Sequence, residues 1–233
     1  APASQWHYRA LLPEIPERCI VSLGEGATPL LRSVSNLGLP GANISIKNEA
    51  GNPSGSFKDR QISVGISHAR AMGKDTVAVV SSGNVACAAA AFAAKAGMRA
   101  IVMTHAHTAE QKLKQAAAYG ATVLRVHSPS ASDVFRLCID ECDRRGWYHL
   151  STAGIYDPYT VEGAKTIAYE LYYQTGGALP DWIVLPVGGG GLLGGVWRGF
   201  LAPVRLGLID RPPRLVGVQP SGCAPLVRAI DKV

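Results

Sequence analysis

Three clusters in the sequence combine residue types and spacings that could do chemistry. The first is Asn52-Pro53-Ser54-Gly55-Ser56-Phe57-Lys58-Asp59-Arg60. A lysine is ordinarily a solvated side chain. Lys58, however, follows a turn-rich Pro-Ser-Gly-Ser run and opens an apolar helical pattern at Ile62, Val64 and Ile66. This predicts a place in the first turn of a helix, where the positive end of the macrodipole disfavours an ammonium and favours a nucleophilic neutral amine. Arg60, two residues on, is expected to add to the effect by like charge. The second cluster, Ser81-Ser82-Gly83-Asn84, lies between an apolar strand and a helix. Ser and Asn are ordinary helix starts. The same geometry also presents backbone N–H groups and hydroxyls beyond a strand's carboxyl end, a receptor for a carboxylate. The third cluster is Gly188-Gly189-Gly190-Gly191, before a helix expected to begin near Leu192. Successive glycines leave backbone N–H groups unshielded at a helix N-terminus, which makes a phosphate cradle.

Gly189, Gly191 and Gly194 also satisfy G-x-G-x-x-G, so a dinucleotide site in an oxidoreductase is a competing reading. The strand that follows ends in Gln219 and not in an acidic residue for a ribose, and no Walker lysine follows the glycines. A reactive amine, a carboxylate receptor and a phosphate cradle on one α/β frame suit a cofactor that carries an aldehyde and a phosphate.

The elements that must position these clusters alternate from about Lys74 onward. Strands are predicted at 76–80, 100–103, 122–126, 147–150, 182–187 and 215–218, from short continuous apolar runs. Between them helices are predicted from Asn84 to Lys95, near 109–119, over 131–145, over 160–174 and after the glycines, with one more opening near Cys223. Such runs imply βαβ units and a parallel sheet covered on both faces. Ser130 is a candidate cap, Asp157-Pro158 breaks the chain before the fourth helix, and Gly120 and Gly146 close helices. The predicted fold class is α/β, two-domain, with parallel or mostly parallel sheets flanked by helices. A composition shift after Leu150 predicts a smaller α/β domain over 75–150, with 1–74 and 151–233 building a larger one.

Bulk properties exclude several function classes. The 233 residues are 47% hydrophobic and 17% charged, enough for a substantial core. The net charge of +6 is scattered, with no basic stripe interleaved with aromatics, so no nucleic-acid partner is expected. Cys19, Cys87, Cys138, Cys142 and Cys223 form no C-x-x-C pair, which fits reduced thiols in a cytoplasmic setting. His105 and His107 lack a ligand partner at suitable spacing, so no metal is expected. The N-terminus has no secretory pattern, and the apolar run over 86–98 is too short to span a bilayer, so the expectation is a soluble protein.

The sequence resembles the tryptophan-synthase-β-like (fold type II) pyridoxal-phosphate enzymes, and within them the threonine synthase branch. Four motifs carry the resemblance in the family's order. They are Gly24-Glu25-Gly26-Ala27-Thr28-Pro29-Leu30, then Lys47-Asn48-Glu49 with the run 52–60, then Ser81-Ser82-Gly83-Asn84, then Glu162-Gly163-Ala164-Lys165-Thr166. The resemblance implies pyridoxal 5'-phosphate as cofactor, held by Lys58 as an internal aldimine. Phe57 would flank the cofactor pocket and Asn84 would bond the ring oxygen. Gly188, Gly189, Gly190, Gly191 and Leu192 would hold the phosphate. Ser81, Ser82, Gly83 and Val85 would bind the α-carboxylate of a small amino-acid substrate. It further implies conversion of O-phosphohomoserine to threonine, a homodimer, and a pyridine-nitrogen partner beyond Val233, with the C-terminal part of the larger domain missing. Val85 stands where such enzymes carry a Thr, and Thr160 where a substrate-phosphate arginine is expected. The four-glycine cradle is closer to the serine and threonine dehydratase branch, whose β-elimination is the alternative reaction, while Asp59 and Asn52-Pro53 belong with the synthase side.

Overall fold

A computed structural model describes residues 4–32, 41–108 and 110–230 of the chain. They fall into two compact units, divided between Gly163 and Ala164.

The first unit begins with a small antiparallel pair, β1 (Leu30–Arg32) and β2 (Ser45–Lys47), in which Leu30 faces Lys47. Helix α1 (Lys58–Ala71) follows. The main sheet has four parallel strands: β3 (Thr76–Val80), β4 (Arg99–His105), β5 (Thr122–Val126) and β6 (Tyr148–His149), in the order β5-β4-β3-β6. Helices α2 (Asn84–Ala96), α3 (Glu110–Ala118) and α4 (Ala131–Arg145) connect them. β3 is a β-branched run buried over most of its length, as a central parallel strand must be. Its hydrophobic residues and those of β4 pack with Ile62 and Ile66 of α1, Phe92 of α2 and Leu150 in the principal core. Val134, Cys138 and Cys142 of α4 pack against Ala78 and Met103 on the other side. The alanine run of α2, buried from Ala86 to Ala93, gives a smooth helix that can approach its neighbours closely. Gly97 and Gly146, at φ 68° and 70°, end α2 and α4 in the left-handed conformation.

The chain leaves β3 towards β4 and β5 on one side and returns to β6 on the other. The loop after β3, Ser81 to Asn84, therefore lies at the topological switch point, where open α/β sheets bind ligands.

The second unit holds α5 (Thr166–Gln174), β7 (Trp182–Pro186), α6 (Gly191–Arg205), β8 (Arg214–Val218) and α7 (Pro225–Ile230). β7 and β8 are parallel, pairing from Trp182 with Arg214 to Pro186 with Val218. Gly195 and Gly199 let α6 lie against the chain at 164–168. A Cβ on Gly195 would fall 2.4 Å from that of Ala164, and one on Gly199 would fall 2.5 Å from the Lys165 carbonyl.

Three expectations change in detail. The helix predicted over 160–174 is a 3-10 turn over Thr160–Lys165 followed by α5. Its start is pinned because the Asp157 carboxylate accepts the N–H groups of Tyr159 and Thr160 and the Thr160 hydroxyl. The strand predicted over 147–150 shortens to Tyr148–His149, paired only with β3. Helix α6 begins at Gly191, one residue before Leu192. The segment 75–150 lies wholly within the first unit and contains its four-stranded sheet. No disulfide joins the five cysteines. Among the described residues no group of His, Cys, Asp and Glu is placed to hold a metal, and no helix is long and apolar enough to cross a membrane.

Candidate active site

Lys58 is the first residue of α1, as its sequence context predicts. The turn before it is held by Ser56, whose hydroxyl accepts the Lys58 backbone N–H at 3.3 Å. The Lys58 ammonium nitrogen lies 4.7 Å from the Phe57 ring centroid and donates to Gln61 Oε1 at 3.1 Å. Burial lowers its pKa from the ordinary 10.5 to about 8. The expected help from Arg60 is not the cause. The Arg60 guanidinium is fully buried and faces the Glu49 carboxylate, with Nε to Oε2 at 2.7 Å and Nη2 to Oε1 at 2.8 Å. Its charge is therefore matched locally. Asp59 also turns away, accepting the Ser54 backbone N–H at 2.6 Å and the Ser54 hydroxyl. Successive helical residues point about 100° apart, so three ionisable neighbours in a row face three different partners.

Beneath this turn lies a buried polar network built from the first two motifs. Thr28 donates to Glu49 Oε1 at 2.6 Å, and Asn52 donates to Glu49 Oε2 at 3.0 Å. Asn52 also accepts the Gly26 N–H at 2.9 Å, and Lys47 Nζ donates to the Thr28 carbonyl at 2.6 Å. Glu25, fully buried, accepts from Ser63 at 2.5 Å, Ser22 at 2.9 Å and the Leu23 N–H at 2.9 Å. Gln5 donates through its amide to the Arg60 carbonyl at 2.9 Å and through its backbone to Glu25 O at 2.7 Å. Gly26, at φ +90°, is required by this junction, because a Cβ there would meet Gln5 N at 2.6 Å. The fourth motif closes on the same turn: a Cβ at Gly163 would lie 2.0 Å from the Arg60 carbonyl oxygen. These motifs support and orient the lysine turn.

At the switch point, Ser81 spends its hydroxyl on the helix start. Its Oγ accepts the N–H groups of Gly83 at 3.2 Å and Ala86 at 3.3 Å. Gly83 caps α2, and Asn84 and Val85 occupy its first turn, where N–H groups lack intrahelical carbonyls. Ser82 and Asn84 are exposed, and Gly83 and Val85 half-buried. The loop thus offers backbone donors and an exposed carboxamide at a helix N-terminus, suited to an anion such as a carboxylate.

In the second unit, Gly190 at φ +82° caps α6, a conformation that requires glycine. Gly188 and Gly189 have φ outside the left-handed region, and a Cβ on either would meet nothing within 4 Å. Neither backbone conformation nor packing inside the unit accounts for these two glycines, whereas a ligand approaching the backbone closely would. Leu192 is buried, so its contribution to such a cradle is its backbone N–H. Gln219 is occupied structurally: Nε2 donates to the Val187 carbonyl at 3.3 Å and Oε1 accepts the Leu226 N–H at 2.9 Å. Taken separately, the half-buried amine of the first unit suits an aldehyde, and the open glycine cradle of the second suits a phosphate.

Sequence reasoning misses Gln5 and Gln61. Nothing local marks Gln5, which acts across a long separation. Gln61 carries a signal, its i+3 spacing from Lys58 on one helix face.

Comparison with known proteins agrees with this geometry. The profile of the family described as "Pyridoxal-phosphate dependent enzyme" matches residues 21–233. A protein named threonine synthase from Methanocaldococcus jannaschii is 36% identical over 231 residues, covering 97% of this chain and 56% of the relative. One of the same name from Methanosarcina acetivorans is 38% identical, covering 97% and 55%. The chain thus spans a little over half the length of these curated relatives. Among solved structures, a threonine deaminase from T.th. is similar with a TM-score of 0.74 at 29% identity, covering 88% of this chain and 63% of that one.

Proposed function

The chain belongs to the pyridoxal-phosphate dependent enzyme family, and from that premise we propose that it carries the active lysine of a threonine-synthase-like enzyme converting O-phosphohomoserine and water to threonine and phosphate. The observation that carries the reading is the Lys58 amine, half-buried beside Phe57 with its pKa lowered to about 8. When bound, the cofactor supplies an electrophilic aldehyde and an electron-withdrawing ring that stabilises negative charge at the substrate's α-carbon. Lys58 would hold it covalently through the aldehyde and, once displaced by the substrate amine, would take and return protons at the substrate. Phe57 flanks the cofactor ring, Asn84 donates to its oxygen, and the N–H groups of Gly188, Gly189, Gly190, Gly191 and Leu192 hold its phosphate. Ser81, Ser82, Gly83 and Val85 bind the α-carboxylate, which fixes the orientation of the amino acid. Within this reading 75–150 is the smaller domain, and the protein works as a cytoplasmic homodimer, which sedimentation of the full-length protein tests.

One observation favours a second reading. Thr160 is fully buried, donates to Asp157, and its Oγ1 would lie 2.1 Å from a Cβ on Gly65. It supplies no cation for a substrate phosphate, which favours elimination of an uncharged β-hydroxyl from serine or threonine. Phosphate release from O-phosphohomoserine supports the first reading, and ketoacid formation from serine or threonine supports the second. Borohydride reduction of the cofactor-loaded protein followed by peptide mapping should place the label on Lys58. Label on another lysine, or none, would overturn both.

A further inference from the structure

Gln61 is fully buried one turn after Lys58, and its carboxamide is only half used. Oε1 accepts from Lys58 Nζ at 3.1 Å, while the buried Nε2 has no hydrogen-bond partner among the described residues. A buried donor left without a partner costs about 1–3 kcal/mol, so its retention beside the reactive amine calls for a cause. The Gln61 backbone is packed closely by Gly163, where an added Cβ would lie 2.9 Å from the Gln61 Cα. The charged residues of this region do not serve Lys58 in its place. Asp59 is bonded to Ser54, Arg60 to Glu49, and Glu25 to Ser22, Leu23 and Ser63.

A carboxamide has an acceptor end and a donor end, exchanged by a half rotation of its terminal torsion. An ammonium carries donors only and selects the carbonyl end. A neutral amine carries a lone pair and accepts from the NH2 end. We propose that Gln61 is a positioning residue that holds the Lys58 nitrogen in both protonation states, its carbonyl serving the ammonium and its NH2 the neutral amine. This rests on the reading of Lys58 as the active lysine. The unpaired end is then the half of the carboxamide that waits for the other state, and the amine keeps its place on each proton transfer.

The test titrates the amine itself. The full chain, freed of cofactor, is trace-labelled with acetic anhydride across the neutral and alkaline range, and the Lys58 peptide is quantified. Gln61→Glu places an anion within hydrogen-bond reach and should raise the labelling midpoint by about one unit or more, slowing labelling near neutrality about tenfold. Gln61→Met keeps the bulk, removes both ends, and should lower the midpoint because the charged form loses the stronger bond. A purely structural Gln61 would change stability and leave the Met midpoint at the wild-type value, because the new carboxylate of the Glu variant shifts the amine by its charge alone. That result overturns the proposal, and should the Glu variant fail to fold, the Met variant decides alone. Failure of the functional reading is separable, since it shows as borohydride label on a lysine other than 58 whatever the titration gives.

Discussion

Removing the Glu49 carboxylate tests whether the lysine turn is held by the ion pair beneath it. Arg60 has no accessible side-chain surface and Glu49 retains 17%. Its two nitrogens meet the two carboxylate oxygens at 2.7 and 2.8 Å, and Thr28 and Asn52 donate to the same oxygens. Glu49→Ala leaves a buried guanidinium facing two further donors. Breaking a buried pair from one side costs about 3–5 kcal/mol, and the residual exposure of Glu49 points to the lower end, about 3 kcal/mol. Since about 1.4 kcal/mol is a factor of ten, native-state hydrogen exchange of α1 amides should accelerate about a hundredfold wherever they open with this unit. Glu49→Leu combined with Arg60→Met should cost less than Glu49→Ala alone, because no unmatched charge remains. Exchange in Glu49→Ala within about threefold of wild type, which corresponds to well under 1 kcal/mol, would refute the reasoning, as would a double variant worse than either single one.

Stability should also depend on Lys58. Its folded pKa of about 8 lies below its ordinary 10.5, so the unfolded chain binds more protons between these values. Stability should therefore rise with pH through that window, and Lys58→Met should flatten the slope in urea titrations read against pH. Gly163→Ala should destabilise by about 1–3 kcal/mol or more, because its Cβ would lie 2.0 Å from a backbone oxygen that cannot rotate away; an unchanged thermal midpoint would contradict the close approach. In the glycine cradle, Gly190→Ala should cost about 1–2 kcal/mol through its left-handed φ. Gly189→Ala should leave stability nearly unchanged and weaken cofactor binding, measured by equilibrium absorbance titration.

The legible parts of this molecule are those written in local pattern. The β-branched run at 76–80 suits a buried strand, and the turn before Lys58 with apolar spacing after it marks the helix start. What stays hidden depends on distant segments meeting. Arg60 reads as a neighbouring positive charge because its sequence distance to Lys58 is visible and its contact with Glu49, eleven residues back, is not. Its charge is cancelled by that contact, and burial takes its place as the cause of the lowered pKa. The 3-10 turn at Thr160–Lys165 is equally invisible, since it follows from Asp157 accepting its first N–H groups and from the Gly163 backbone lying on the Arg60 carbonyl.

That contact also bears on why the lysine turn carries two buried charges at all. A buried ion pair is a weak source of stability compared with apolar packing of similar volume, so stability alone does not explain Arg60 and Glu49. They do fix orientation. Glu49 binds α1 through Arg60 to Thr28 and Asn52, Gln5 binds the Arg60 carbonyl, and Asp59 binds the preceding turn. Each bond constrains the rotation of α1 about its axis, and that rotation decides where the Lys58 side chain points. An apolar turn could slide or rotate by small increments at little cost, whereas this one has a single register in which every partner is met. Because Asp59 is bonded to Ser54 and Arg60 is paired with Glu49, the amine is left with burial, the Phe57 ring and Gln61 as its surroundings, and among these burial favours the neutral form that a nucleophile needs.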